Sequence, residues 1–152
     1  MNTRLMFASL ALAAAMNAGP ALATTEPLAG DPAAGHQTFQ QICSLCHSDK
    51  KDTIKIGPPL YGAFGRQPGS YPTFHYSADL KNYGATGNTD AANTVGHPIT
   101  WQVSNLQIWE AGARKMIHGT KMSFPGLKTD KQRNDMIAYL QTLHDSAACS
   151  RW

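Results

Sequence analysis

Residues 43–47 read Cys-Ser-Leu-Cys-His, and the chain has one further cysteine, Cys149. Thiols three residues apart on a helical turn face the same way, here with an imidazole directly behind the second. A disulfide between them would close too tight a ring to be structural. A zinc site needs two more ligands at close spacing, but His36, His75, His97, His118 and His144 are scattered singly. A thioredoxin-like redox pair needs a preceding strand and a βαβ context. The choice turns on the compartment.

The N-terminus is basic at Arg4, apolar from Leu5 to Met16, broken at Gly19-Pro20, and closed by the small-x-small pattern Ala21-Leu22-Ala23. These are the parts of a secretory signal, so residues 1–23 are expected to be a signal peptide cleaved after Ala23. The apolar run is too short to span a bilayer, and no cysteine at the cleavage site offers a lipid anchor. The mature chain is expected to be a soluble periplasmic protein with no transmembrane segment. Its 129 residues (152 − 23) suit one domain. Removing Arg4 leaves 12 Lys+Arg against 10 Asp+Glu, net +2. That balance is too mild to indicate nucleic acid or a membrane surface. Three cysteines allow at most one disulfide, so something else must complete the core.

In an exported chain, Cys43-x-x-Cys46-His47 is the attachment pattern of a c-type haem. Both thiols can add to the vinyl groups of one haem, and His47 follows as the proximal iron ligand. For the sixth iron position three mature methionines remain: Met116, Met122 and Met136. Met136 lies in an amphipathic run with Ile137, Leu140 and Leu143, where core packing explains it. Met122 stands in HGTKMSFPG, a loop bracketed by glycine and proline, where a thioether is placed to reach a metal. Met122 is the favoured ligand, with Met116 and His118 as the alternatives.

Helical elements must position these groups. Asp31-Pro32 reads as an N-cap with proline at the first helical position, and the helix continues through AAGHQTFQQICSLCH. Its stripe is Phe39, Ile42, Cys43 and Cys46; Gly35 implies a close crossing by another helix. A second helix is expected over Ser104 to Ala111, with the capping box Ser104-x-x-Gln107. A third is expected from Thr129 or Asp130 to about His144, with Thr129-x-x-Gln132 as its box. The Gly- and Pro-rich stretch from Gly57 onward has little periodicity and reads as coil. The outcome is an all-α fold: three main helices and long loops wrapped around one haem. Residues 24–30 form a flexible N-terminal segment, 31–145 the domain, and 146–152 a tail in which Cys149 is free or pairs two chains.

In order, these segments resemble the class I c-type cytochromes, most closely the mitochondrial cytochrome c and bacterial cytochrome c2 group, over about residues 31–144. Gly35, Phe39, Cys43, Cys46 and His47 are similar to the family's first helix. Gly57-Pro58-Pro59-Leu60 resembles the stretch whose proline carbonyl accepts a hydrogen bond from the ligand histidine. Arg66, Tyr76 and Trp101 match residues that help hold the inner haem propionate. Gly119-Thr120-Lys121-Met122 is similar to the methionine-ligand loop, and Phe124 to the aromatic at the haem edge. Asp135 to Leu140 resembles the closing helix. The chain departs in a longer loop at about 81–97, in Leu80 near the inner propionate, in Trp109 where a tyrosine often bonds the ligand sulfur, and in Ala113 for a frequent proline.

The resemblance implies one covalent haem c on Cys43 and Cys46, with iron ligated by His47 and Met122. It implies a one-electron carrier, not an enzyme, with no open iron position. Expected partners are a cytochrome bc1 complex, a terminal oxidase, a photosynthetic reaction centre or a dehydrogenase, met by a monomer. Lys55, Arg114, Lys115, Lys121 and Lys128 match the family's positive ring around the haem edge. The competing reading is a haem sensor or peroxidase-like protein whose methionine leaves readily.

Overall fold

A computed structural model describes residues 30–145. The expected signal peptide, nearly all of the N-terminal segment and the tail with Cys149 lie outside the described residues. Among the described residues the elements are α1 (Pro32–Gln41), a 3-10 turn (Cys43–Leu45), α2 (Ala78–Thr86), α3 (Val103–Ala111), α4 (Ala113–Met116) and α5 (Asp130–Thr142). None of these helices is long and apolar enough to cross a membrane. The fold is all-α, as expected.

α1 starts as its sequence predicts. The Asp31 carboxylate accepts from the Ala33 amide at 2.9 Å, ahead of Pro32. Its end differs from expectation. The helix stops at Gln41 rather than running to His47, and Ile42 takes φ −121°, ψ −62°. The chain then tightens: the amides of Cys46 and His47 both donate to the Cys43 carbonyl, at 3.1 and 2.8 Å. The cysteine motif therefore sits on a 3-10 turn, which redirects the chain after the 10 residues of α1.

α5 crosses α1 at Gly35. A methyl added there would overlap the Asp135 carbonyl and lie 2.7 Å from Tyr139 Cβ. Only a residue without Cβ lets the backbones come so close. The crossing is fastened at its ends. The Asp31 amide donates to Asp135 Oδ1 at 2.9 Å, and the Tyr139 hydroxyl donates to Asp49 Oδ2 at 2.9 Å. Tyr139 also stacks on His36, with ring centroids 4.9 Å apart. Thr129 caps α5 through the Gln132 amide, as its sequence suggests.

Two sequence expectations are corrected. α3 begins a residue before Ser104, and its N-cap is Gln102, whose amide donates to Asn105 Oδ1 at 2.8 Å. The stretch from Gly57 onward read as coil contains α2, whose last residues overlap the longer loop expected at about 81–97. Ser77 caps that helix through the Leu80 amide, and Gly87 closes it at φ 78°. Leu80, Tyr83 and Gly84 are buried, so the first part of this stretch belongs to the core. Residues 89–98 are exposed, tied back by Asn82 Nδ2 to the carbonyls of Asp90 and Asn93 at 3.2 and 3.1 Å.

Candidate functional site

The elements surround a cavity of about 610 Å³ whose wall is mostly apolar. Cys43, Cys46 and His47 reach it from the 3-10 turn, and Met122 and Phe124 from the loop after α4. Both thiols are free. Burial, reinforced by the Glu110 charge, pushes the Cys43 thiol up to about 12, so it faces the cavity as a neutral group.

His47 is held on two sides. Its Nδ1 lies 2.7 Å from the Pro58 carbonyl. A carbonyl only accepts, so Nδ1 carries the proton and Nε2 keeps its lone pair. Gly57 lies against the ring, where a Cβ would overlap it. Burial lowers the His47 pKa, the Pro58 bond opposes this, and Lys55 adds to the lowering. The net effect is a neutral imidazole fixed in one tautomer, the form in which histidine binds a metal.

On the other wall, Met122 is half-buried in irregular backbone. Its loop is positioned by residues around α2. Lys121 Nζ donates to the His75 carbonyl at 3.0 Å, buried Thr120 accepts from the Met122 amide at 3.3 Å, and Gly119 packs against the Asp79 carboxylate without room for a Cβ. The alternatives to Met122 fall elsewhere: His118 is exposed, and Met116 packs against the hydrophobic core. Met136 does line the cavity, at 2% exposure from α5. The amphipathic pattern of α5 marks Met136 as buried but not as facing a cavity.

Arg66, Tyr76 and Trp101 converge on the same cavity. Arg66 donates to the carbonyls of Tyr61 and Pro59 at 3.2 and 3.0 Å. Its backbone carbonyl accepts from Trp101. Burial lowers the Arg66 pKa and raises that of Tyr76. Among the described residues, the ion pairs are Lys51–Asp145, Lys131–Asp135 and Arg133–Asp130. Arg66 therefore offers a half-buried guanidinium to the cavity with no carboxylate paired to it among the described residues. Trp101 packs on Trp109, centroids 5.2 Å apart.

This donor set suits a haem: paired thiols, an oriented imidazole, a thioether, an apolar wall and one cation for a propionate. No cluster of three or more His, Cys, Asp or Glu among the described residues could hold a bare metal ion. The sequence profile described as Cytochrome c matches residues 32–144. The chain belongs to the cytochrome c family.

It is 38% identical over 115 residues to the cytochrome c2 of Rhodopila globiformis, covering 75% of this chain and 94% of that one. It is 39% identical over 113 residues to the cytochrome c of Ginkgo biloba, covering 74% and 88%. The structure of cytochrome cH from Methylobacterium extorquens superposes with a TM-score of 0.60 at 33% identity, covering 74% of this chain and 99% of that one. Family membership implies covalent haem c and an electron-carrier role, and Cys43-x-x-Cys46-His47 fits the attachment motif.

Proposed function

We propose that this protein is a diffusible one-electron carrier of an exported redox chain. Cys43 and Cys46 would hold the haem through thioethers, and His47 Nε2 and the Met122 sulfur would be its iron ligands. When bound, the haem supplies a one-electron ferric/ferrous couple. The observation that carries this reading is His47, with Nδ1 fixed on Pro58 at 2.7 Å and its ring facing the cavity that Met122 lines from another loop.

Each chain residue has a part in the transfer. Pro58 and Gly57 stop the imidazole from rotating, and Thr120 and Lys121 hold the methionine loop, so little rearrangement accompanies a change of charge. Arg66, Tyr76 and Trp101 form the propionate end, where the guanidinium offsets a carboxylate charge. The apolar wall excludes water and disfavours the more highly charged ferric centre, and the thioether acts in the same direction; both raise the potential. Two strong ligands leave no site for substrate or oxygen.

The cavity lip explains docking. Leu45 and Ile56 are 70% and 77% exposed although both line the cavity. Lys55, Arg114, Lys115, Lys121 and Lys128 are exposed. An apolar patch with Lys55, tied to the Ser44 carbonyl beside Leu45, and Lys121, on the cavity wall, suits brief encounters with an acidic redox partner such as a bc1 complex, a terminal oxidase, a reaction centre or a dehydrogenase. The secretory-signal pattern of residues 1–23 supports the periplasm as the compartment of this exchange.

Carbon monoxide tests the closed site. The ferrous protein is expected to remain unreacted at neutral pH. Ready binding would favour the sensor or peroxidase-like reading with a labile Met122.

A further inference from the structure

Glu110 has no part in the proposed electron transfer, yet it lines the haem cavity from α3. The residue is 7% exposed. Its Oε2 is the one buried side-chain nitrogen or oxygen among the described residues that lacks a hydrogen-bond partner. An orphaned carboxyl oxygen costs stability in any core, and far more as an anion than as an acid. A leucine would fill such a wall without that cost.

We propose that Glu110 is a proton-binding site coupled to the haem, taking up one proton from water as the iron is reduced and releasing it on oxidation. The proposal rests on the haem reading given above.

The surroundings of Glu110 poise it between its two forms. From α5 it faces Arg133, the one cation with a marked pull on it. That guanidinium is committed elsewhere: Nη1 to the Leu127 carbonyl at 2.7 Å, Nε to Gln107 Oε1 at 3.3 Å, and Nη2 to Asp130. From the 3-10 turn it faces Cys43, which becomes an uncharged thioether once joined to haem. The other titratable groups on the cavity wall are Arg66, Lys121, Tyr76, Cys46 and His47. Burial drives the Glu110 carboxyl well above the usual carboxylate range, and Arg133 only partly offsets this.

The iron supplies the switch. A ferric centre carries one more positive charge than a ferrous one and stabilises a nearby carboxylate; reduction withdraws that charge, so the carboxyl pKa rises. Between the ferric and ferrous pKa values, one electron arrives from the redox donor and one proton from solvent. An O–H bond forms on Glu110 as the solvent hydronium gives up its proton, and no other bond changes. Oxidation reverses both. In that window the carrier moves a proton with its electron.

The test is the midpoint potential of the purified holoprotein against pH, for wild type, Glu110→Gln and Glu110→Leu. A first optical spectrum confirms bound low-spin haem in each, so failure of the haem reading shows itself separately. The wild-type potential should fall with rising pH by a tenfold change in equilibrium per pH unit, about 59 mV for a one-electron couple. It should flatten outside the window. Both variants should lose this segment and keep any slope due to the propionates. Reduction of lightly buffered wild type should take up one more proton per haem than either variant, read with an indicator dye. Gln keeps the shape and Leu removes the orphaned oxygen, so one of them will fold if the other does not. Parallel profiles for wild type and a folded variant, or equal proton uptake, would overturn the proposal.

Discussion

A methyl group added at Gly57 would land on the His47 ring, 2.7 Å from Nδ1, so the smallest possible side chain there is incompatible with the imidazole as it stands. Gly57→Ala should displace His47 from the Pro58 carbonyl, lower haem incorporation and shift the midpoint potential, as haem content per chain and voltammetry would show. A variant with full haem content and unchanged potential would mean that the ring is not held there. The two cavity methionines separate in the same way. Met136→Leu nearly conserves volume, so it should cost less than about 1.5 kcal/mol and leave the ferric spectrum intact, measured by denaturant unfolding and absorption. At this scale the candidate ligands could be named from sequence because cysteine, histidine and a loop methionine carry distinctive chemistry, and the structure brings Cys43, Cys46, His47 and Met122 to one cavity. Glu110 and Met136 could not be placed there, because a helix pattern shows that a position is buried without showing what it faces.

The helices owe their placement to caps and one crossing. Gly35→Ala forces α1 and α5 apart at the Asp135 carbonyl, and overpacking of this kind costs roughly 1–3 kcal/mol; thermal unfolding of the holoprotein should show a lower midpoint. Asp135 ties the same crossing to acid. Its hydrogen bonds from Lys131 and from the Asp31 amide hold its pKa below the ordinary 3.8. A depressed carboxylate contributes stability above its unfolded value and loses it as pH falls through the folded one. The holoprotein should therefore destabilise on acidification below about 3.9, and Asp135→Asn should be less stable near neutrality and less sensitive in that acid range. Equal acid sensitivity of the two proteins would remove Asp135 from the crossing. α1 and α5 were readable because Asp31-Pro32, Gly35 and Thr129 each act locally. The 3-10 turn was missed because the cysteine spacing fits either kind of helix. α2 was missed because nine residues carry little periodicity, although Ser77 and Gly87 at its ends were signals in plain view.

The whole domain is organised around its cavity. At roughly 24 cal/mol per Å³ as an upper limit, 610 Å³ without a haem costs on the order of 15 kcal/mol, as much as the net stability of a domain, about 5–15 kcal/mol. The double variant Cys43→Ser, Cys46→Ser should accordingly lose most helical signal by circular dichroism when produced without haem. Retained native helicity would show that the chain folds independently of the prosthetic group. Electron transfer to an acidic partner should slow as salt rises, since exposed cations at the lip act over about 8 Å at physiological ionic strength; a rate indifferent to salt would remove them from docking. The most direct test of the whole account is the visible spectrum of the ferric protein before and after Met122→Ala. Wild type should show a low-spin haem with a weak far-red sulfur-to-iron band, and the variant should lose that band together with a lower midpoint potential. A wild type lacking the band, or a variant that keeps it, would contradict the assignment of His47 and Met122 as the iron's two ligands.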